Sequence, residues 1–254
     1  MLEPPGYVRS ERGPEFPETF MHVAEHRFSP DETRKIVAGA KTHRVTVNDL
    51  LTAAVFRAAD RWRKTRGEKS EVYRLALPVN VRNSPEEYGV LGNVVSILFL
   101  DRTPAECDAD PQKFLARIAA QTQKMKLTGR ARLLLRGVQG LHELRWGKSH
   151  PRWGMELYLR RQPTFASFVL SNLGVLFASS KLPRTSAGEL CVGGTVLEDI
   201  KLGAPRTINV GIFFPVGTYA GQLRLSANYD ARRMNREEAD MWLRFFAEEI
   251  FKFW

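Results

Sequence analysis

Two segments carry residue types whose spacing could do chemistry. His22, Glu25 and His26 fit the pattern H-x-x-E-H, in which two imidazoles hold zinc and a glutamate works on the bound water. That chemistry needs a helix, to bring both rings to one side, and a third ligand from elsewhere in the chain. The segment lies between Pro17 and a helix-start signal at Ser29, which predicts a strand or loop, so no metal site is assigned. The second segment is Phe168-Val169-Leu170-Ser171-Asn172-Leu173-Gly174, an apolar run ending in a hydroxyl, an amide and a glycine. On local grounds alone Ser171 could satisfy nearby backbone groups, with Asn172 and Gly174 forming a turn. Tyr229 closes a later strand and could hydrogen-bond in a pocket. With an ordinary pKa of about 10 it is a poor general base at neutral pH.

The elements that must position these residues are legible from caps and periodicity. Ser29-Pro30-Asp31-Glu32 starts a helix that should run to about Thr42. Thr46-Val47-Asn48-Asp49 starts a second, with Asp49 in the capping-box position. Leu50, Leu51, Ala54, Val55 and Ala58 form its inner stripe, and Gly67 terminates it. Asn48 and Asp49 therefore have a helix-start explanation of their own. Val72–Val79 reads as a strand with Leu75, Leu77 and Val79 on one face. Asn93–Leu100 is almost continuously apolar and is expected to be a strand buried on both faces. Gly92 and Asn93 precede it as turn residues. Asp110-Pro111 begins a helix to about Lys126, and Arg130–Trp146 reads as a second, basic one. Strands are expected at Phe20–Phe28, Pro163–Asn172, Leu190–Asp199, Arg206–Phe214 and Tyr219–Tyr229. Asn235 caps a last helix whose inner face is Ala239, Trp242, Leu243, Phe246 and Ile250. The mixture predicts an α/β (α+β) lobe, a mixed sheet flanked by helices, over 21–254, with 1–20 as a linker or crossover arm.

The chain has 254 residues, and 43% of them are hydrophobic, enough for a substantial core. No signal peptide or membrane-length apolar run is visible. Cys107 and Cys191 stand far apart without a partner motif, as in a cytoplasmic protein with reduced thiols. The net charge of +10 is uneven: between Lys124 and Arg161 ten Lys or Arg face only Glu143 and Glu156. Arg130, Arg132 and Arg136 stand on an amphipathic basic helix within that window. Such a face could attract an acyl carrier protein's phosphate or an anionic membrane surface, or be merely solvated. With no DNA-binding or RNA-binding motif, nucleic acid is not expected.

Four segments together resemble the second lobe of condensation-type acyltransferases. Val45-Thr46-Val47-Asn48-Asp49-Leu50-Leu51 looks like the "TVND" helix start of the wax ester synthase/diacylglycerol acyltransferases. Leu77-Pro78-Val79-Asn80-Val81-Arg82 followed by Leu91-Gly92-Asn93 is similar to their "PVNxR…GN" pair. Phe168–Gly174 resembles a strand end of dihydrolipoyl acyltransferases. The strand-turn-helix from Gln222 to Phe251 fits the closing element of a chloramphenicol acetyltransferase-like lobe. The resemblance implies acyl transfer from a thioester, on coenzyme A or a phosphopantetheinyl carrier, to an alcohol or amine, with no permanently bound cofactor. It implies that Ser171 is an oxyanion donor and that Asn48, Asp49, Gly92, Asn93 and Asn172 line the substrate channel. In that superfamily the base is a histidine of HHxxxDG in the first lobe. None of His22, His26, His43, His142 or His150 stands in such a motif, and Tyr229 and Arg233 occupy the matching positions here. The expected partner is thus a separate N-terminal lobe or another copy of the chain. The alternative is a non-catalytic module that binds an acyl carrier protein or oligomerises.

Overall fold

Three helices begin on reciprocal caps written in the sequence. Ser29 Oγ accepts from Glu32 N at 3.2 Å while Glu32 accepts from Ser29 N at 2.8 Å, opening α1 (Pro30–Thr42). Thr46 and Asp49 exchange the same pair of bonds at 3.1 and 3.0 Å to open α2 (Val47–Arg66), and Asn235 and Glu238 do so at 2.8 Å each to open the last helix. Each cap satisfies backbone donors that a helix cannot satisfy itself. The computed structural model describes residues 21–82, 94–129, 166–204 and 210–254. The expected basic helix Arg130–Trp146, with Arg130, Arg132 and Arg136, lies outside the described residues, as do Gly92, Asn93 and the arm 1–20.

The strands are β1 (Met21–Arg27), β2 (Tyr73–Asn80), β3 (Val95–Arg102), β4 (Ala166–Val175), β5 (Leu190–Val192), β6 (Thr195–Leu197), β7 (Val210–Tyr219) and β8 (Gln222–Asp230). Six of them form one sheet in the order β1-β8-β7-β4-β2-β3. β4 runs parallel to both neighbours, and the other pairs are antiparallel. Further helices are the short α3 (Pro104–Cys107), α4 (Pro111–Leu127) and α5 (Arg236–Ile250). The mixed sheet and helix layer are those the sequence predicts.

One face of the sheet packs on α2 and α5. Tyr73, Leu75, Phe168, Leu170, Ile212, Phe214, Leu225 and Tyr229 join Trp242 and Phe246 in the main core. The α2 face is anchored by Asp60, which accepts from Tyr73 Oη at 2.9 Å and pairs with Arg63 at 3.0 Å and Lys64 at 2.7 Å. These partners hold the Asp60 carboxyl below its usual range despite the opposing effect of its burial.

Two strand expectations are corrected. β3 is not buried on both faces: Ser96, Leu98, Leu100 and Arg102 are buried, while Val95 and Asp101 are exposed. It is an edge strand, so only one of its faces meets the main core, and the apolar Ile97 and Phe99 join a smaller cluster on the other face with Ala76 and Val169. The expected single strand Leu190–Asp199 is a hairpin, β5 and β6, folded at Gly193 and Gly194 with φ of +56° and +83°. Two successive positive φ values make the tight reversal that glycine pairs favour. β7 also runs on past Phe214 through Pro215 to Tyr219 and returns as β8 through Ala220 and Gly221, again both at positive φ.

Cys107 ends α3 with 2% of its surface exposed. Burial, reinforced by the nearby Asp60 and Glu106 carboxylates, pushes its thiol up to about 12. A thiol reagent at pH 8 is therefore expected to titrate Cys191 alone in the folded chain and both cysteines in denaturant. Rapid labelling of two thiols without denaturant would contradict the burial of Cys107.

Candidate active site

Ser171 sits where β4 leaves the packed sheet. Phe168 and Leu170 point into the main core, so by strand alternation Val169 and Ser171 face the opposite side, and Val169 belongs to the second cluster. Ser171 is half-buried, and its hydroxyl makes no hydrogen bond among the described residues. Asn172 behaves as its type dictates: its Oδ1 accepts from Gly174 N at 2.9 Å, closing a turn over Leu173. That turn ends the regular pairing of β4 with β7, whose register shifts between Asn172 and Val175. The backbone thus delivers a strand-end hydroxyl with its donor capacity unspent.

The neighbours of Ser171 across the sheet are polar or small. It stands opposite Pro215 on β7, and the flanking pairs Phe213 with Asn228 and Val216 with Leu225 set Pro215 opposite Ser226 of β8. Ser226 in turn stands opposite Glu25 of β1. Ser171, Pro215, Ser226 and Glu25 therefore form one row on the face away from α2 and α5. Two strand spacings separate the two serines, roughly 10 Å. Along β8 the same face carries Arg224, Ser226 and Asn228, all nearly inaccessible. Glu25 Oε1, Arg224 Nε, Ser226 Oγ and Asn228 Nδ2 are buried and make no hydrogen bond. Buried groups left so cost about 1–3 kcal/mol each, so stability alone does not account for this row.

A strap closes over that row. Arg224 donates to Asp199 and to Ile200 O, the latter at 2.5 Å, and Arg27 donates to Asp199 at 2.8 Å. The Arg224 bond is the chief reason the Asp199 carboxyl is held below its usual range. Asn228 Oδ1 accepts from Ala204 N at 2.8 Å. Tyr219 Oη accepts from Leu190 N at 2.9 Å and donates to Leu197 O at 2.5 Å, pinning the β5–β6 hairpin. The excursion from Leu173 to Ala204 is thus tied to β7 and β8 at several points. It also carries Leu173, Val175, Phe177, Leu182, Val192, Val196 and Leu197, all exposed.

The other sequence candidates fall elsewhere. Asp49 is buried at the N-terminus of α2, where Oδ2 serves the cap and Oδ1 accepts from Thr122 Oγ1 at 2.5 Å, tying α2 to α4. Its oxygens are engaged in the fold. Asn48, beside it, is partly exposed. Tyr229 lies opposite His22 with its ring in the main core, and burial raises its phenol above the usual range. H-x-x-E-H is laid along β1: His22 and His26 face the helices and Glu25 the opposite side, and four strand residues separate the imidazoles by roughly 13 Å. No group of three metal-ligating side chains occurs among the described residues. Arg224, Ser226 and Asn228 were missed by sequence reasoning, although polar residues at every second position of an otherwise apolar strand are a visible signal.

Residues 17–122 match the family described as phthiocerol/phthiodiolone dimycocerosyl transferase C-terminus. Among solved structures, the epimerization domain from the third module of tyrocidine synthetase B matches 100% of this chain and 51% of its own length, with TM-score 0.64 at 12% identity. This fold is a C-terminal lobe of the chloramphenicol acetyltransferase-like kind. Polyketide synthase associated protein 5 from Mycobacterium tuberculosis matches 96% of this lobe and 54% of its own chain (TM-score 0.58, 15% identity). Wax ester synthase/diacylglycerol acyltransferase from Marinobacter aquaeolei VT8 matches 92% and 48% (TM-score 0.55, 14% identity). The lobe spans about half the length of these structures. No curated protein matches its sequence. Among the described residues no helix is long and apolar enough to cross a membrane.

Proposed function

We propose that this lobe, residues 21–254, forms one wall of a condensation-type acyltransferase site and supplies Ser171 as the hydroxyl that stabilises the tetrahedral oxyanion. The observation that carries this reading is the unspent Ser171 hydroxyl at the end of β4, on the sheet face away from the helices. Acyl transfer from a coenzyme A or carrier-protein thioester to an alcohol or amine passes through an oxyanion, and a fixed donor aimed at it lowers the barrier more than it stabilises the ground state. The base comes from a second lobe, because the described histidines are placed for packing: His26 meets Phe28 edge-on at 4.7 Å, and burial lowers its pKa.

The apolar excursion beside Ser171 is suited to that second lobe. Seven exposed large apolar side chains between Leu173 and Leu197 lie on a segment already pinned by Tyr219, so docking costs little ordering entropy. The basic window from Lys124 to Arg161 offers an anionic carrier protein an approach from the same polypeptide.

The test is reconstitution. The chain alone is expected to leave an acyl-coenzyme A thioester intact. Mixed with a purified N-terminal lobe bearing HHxxxDG, from the adjacent reading frame or from a two-lobed relative, it should restore transfer to a long-chain alcohol or an amine. Transfer by the chain alone, or no complex and no transfer with either N-terminal lobe, would contradict this assignment.

A further inference from the structure

A second site lies on the other side of the sheet. Between α2, α5 and the ends of β4 and β8 is a cleft of about 70 Å³, open at one side. Trp62 and Trp242, 8% and 1% exposed, give it aromatic walls, and the Arg66 guanidinium lies 5.2 Å from the Trp62 ring centre. Three polar groups reach it with hydrogen-bonding capacity unspent. Tyr229 is 1% exposed, lines the cleft, and makes no hydrogen bond through its hydroxyl. Ser167 is 5% exposed, and its oxygen accepts from Arg74 N at 3.1 Å, leaving its proton uncommitted among the described residues. Glu68 spends Oε1 on Arg66 Nε at 2.6 Å, while its Oε2 is buried without a partner.

The chemistry of an occupant follows from this set. Two hydroxyl protons call for an acceptor on the ligand, and the idle carboxylate oxygen calls for a donor. Charge gives no preference for an ion: Arg66 and Arg233 are matched on the cleft wall by Glu68 and Asp230. Arg66 is further occupied by an ion pair with Glu238. The volume suits one ring, and indole walls favour a flat apolar one. The geometry points to a binding site for a small neutral aromatic carboxamide, its carbonyl accepting from Tyr229 and Ser167 and its N–H donating to Glu68. Nothing in this reading depends on acyl transfer or on Ser171, which faces the opposite side of the sheet.

The experiment is a titration of the full chain with benzamide, followed through the indole N–H signals of its tryptophans by NMR, with toluene and benzoate as controls. Saturable shifts confined to Trp62 and Trp242 are expected. Toluene, which lacks the polar group, and benzoate, which lacks the donor, should each bind at least fivefold more weakly. Tyr229→Phe should weaken benzamide at least fivefold. Ser167→Ala, whose small side chain keeps the strand intact, serves as a second variant should Tyr229→Phe fail to fold. No saturable shift up to the solubility limit, equal binding of toluene, or unchanged affinity in both folded variants would overturn the assignment.

Discussion

Replacing Ser171 by alanine is expected to lower kcat of the reconstituted two-lobed enzyme by about 10²–10³-fold, equivalent to about 2.7–4 kcal/mol of barrier. KM should change little, because the hydroxyl meets the oxyanion rather than the ground-state thioester. Thermal stability should also change little, since the hydroxyl makes no bond in the fold whose loss could cost anything. Stability and activity thus move independently at this position, which separates a donor from a packing residue. Steady-state kinetics of wild type and variant at matched lobe concentrations check it. A variant that keeps most of its kcat would show that the oxyanion is held by another group. The buried Ser226 is the nearest alternative hydroxyl on the row, and Ser226→Ala supplies the comparison.

The largest effect on stability is expected at Phe214. Its ring is fully buried in β7 and meets Trp242 at 4.5 Å, Phe246 at 5.5 Å and Phe168 at 6.4 Å. These rings come from two strands and a helix, so they cannot close together over a lost side chain without moving the sheet against α5. Phe214→Ala should therefore cost about 3–5 kcal/mol, the sum of lost transfer energy and an unfilled cavity. A domain is usually stable by only about 5–15 kcal/mol, so this single change removes a large part of it. Urea unfolding of both proteins measures the difference, as a fall in midpoint with little change in slope. A loss below about 1 kcal/mol would mean that the ring cluster repacks freely.

Much of the architecture was legible because it rests on short-range rules. Ser29 with Glu32, Thr46 with Asp49, and Asn235 each announce a helix start within four residues, and all three helices begin there. The apolar stripe of α5 is buried as its 3.6-residue period predicts. β3 shows where that reasoning stops. A continuous apolar run reads the same in a central strand and in an edge strand whose outer face meets a small cluster. Nothing within those eight residues says which neighbours they will have. The Leu190–Asp199 run was misread for a smaller reason: Gly193-Gly194 was a legible hairpin signal, and its weight was underestimated.

The candidate site divides along the same line. The sequence by itself determined which residues bear chemistry, where the helices start, and that the motif carrying the superfamily's histidine is missing from this chain. Tertiary structure alone decided that Ser171 faces away from the helices and shares a row with Ser226 and Glu25, that His22 and His26 are parted from Glu25 by the plane of the sheet, and that Asp199 reaches back to Arg224. The reason is that a strand shows its alternation locally but not its register. A shift of one residue in pairing would send every side chain to the other face, and register is set by contacts between segments far apart in the chain.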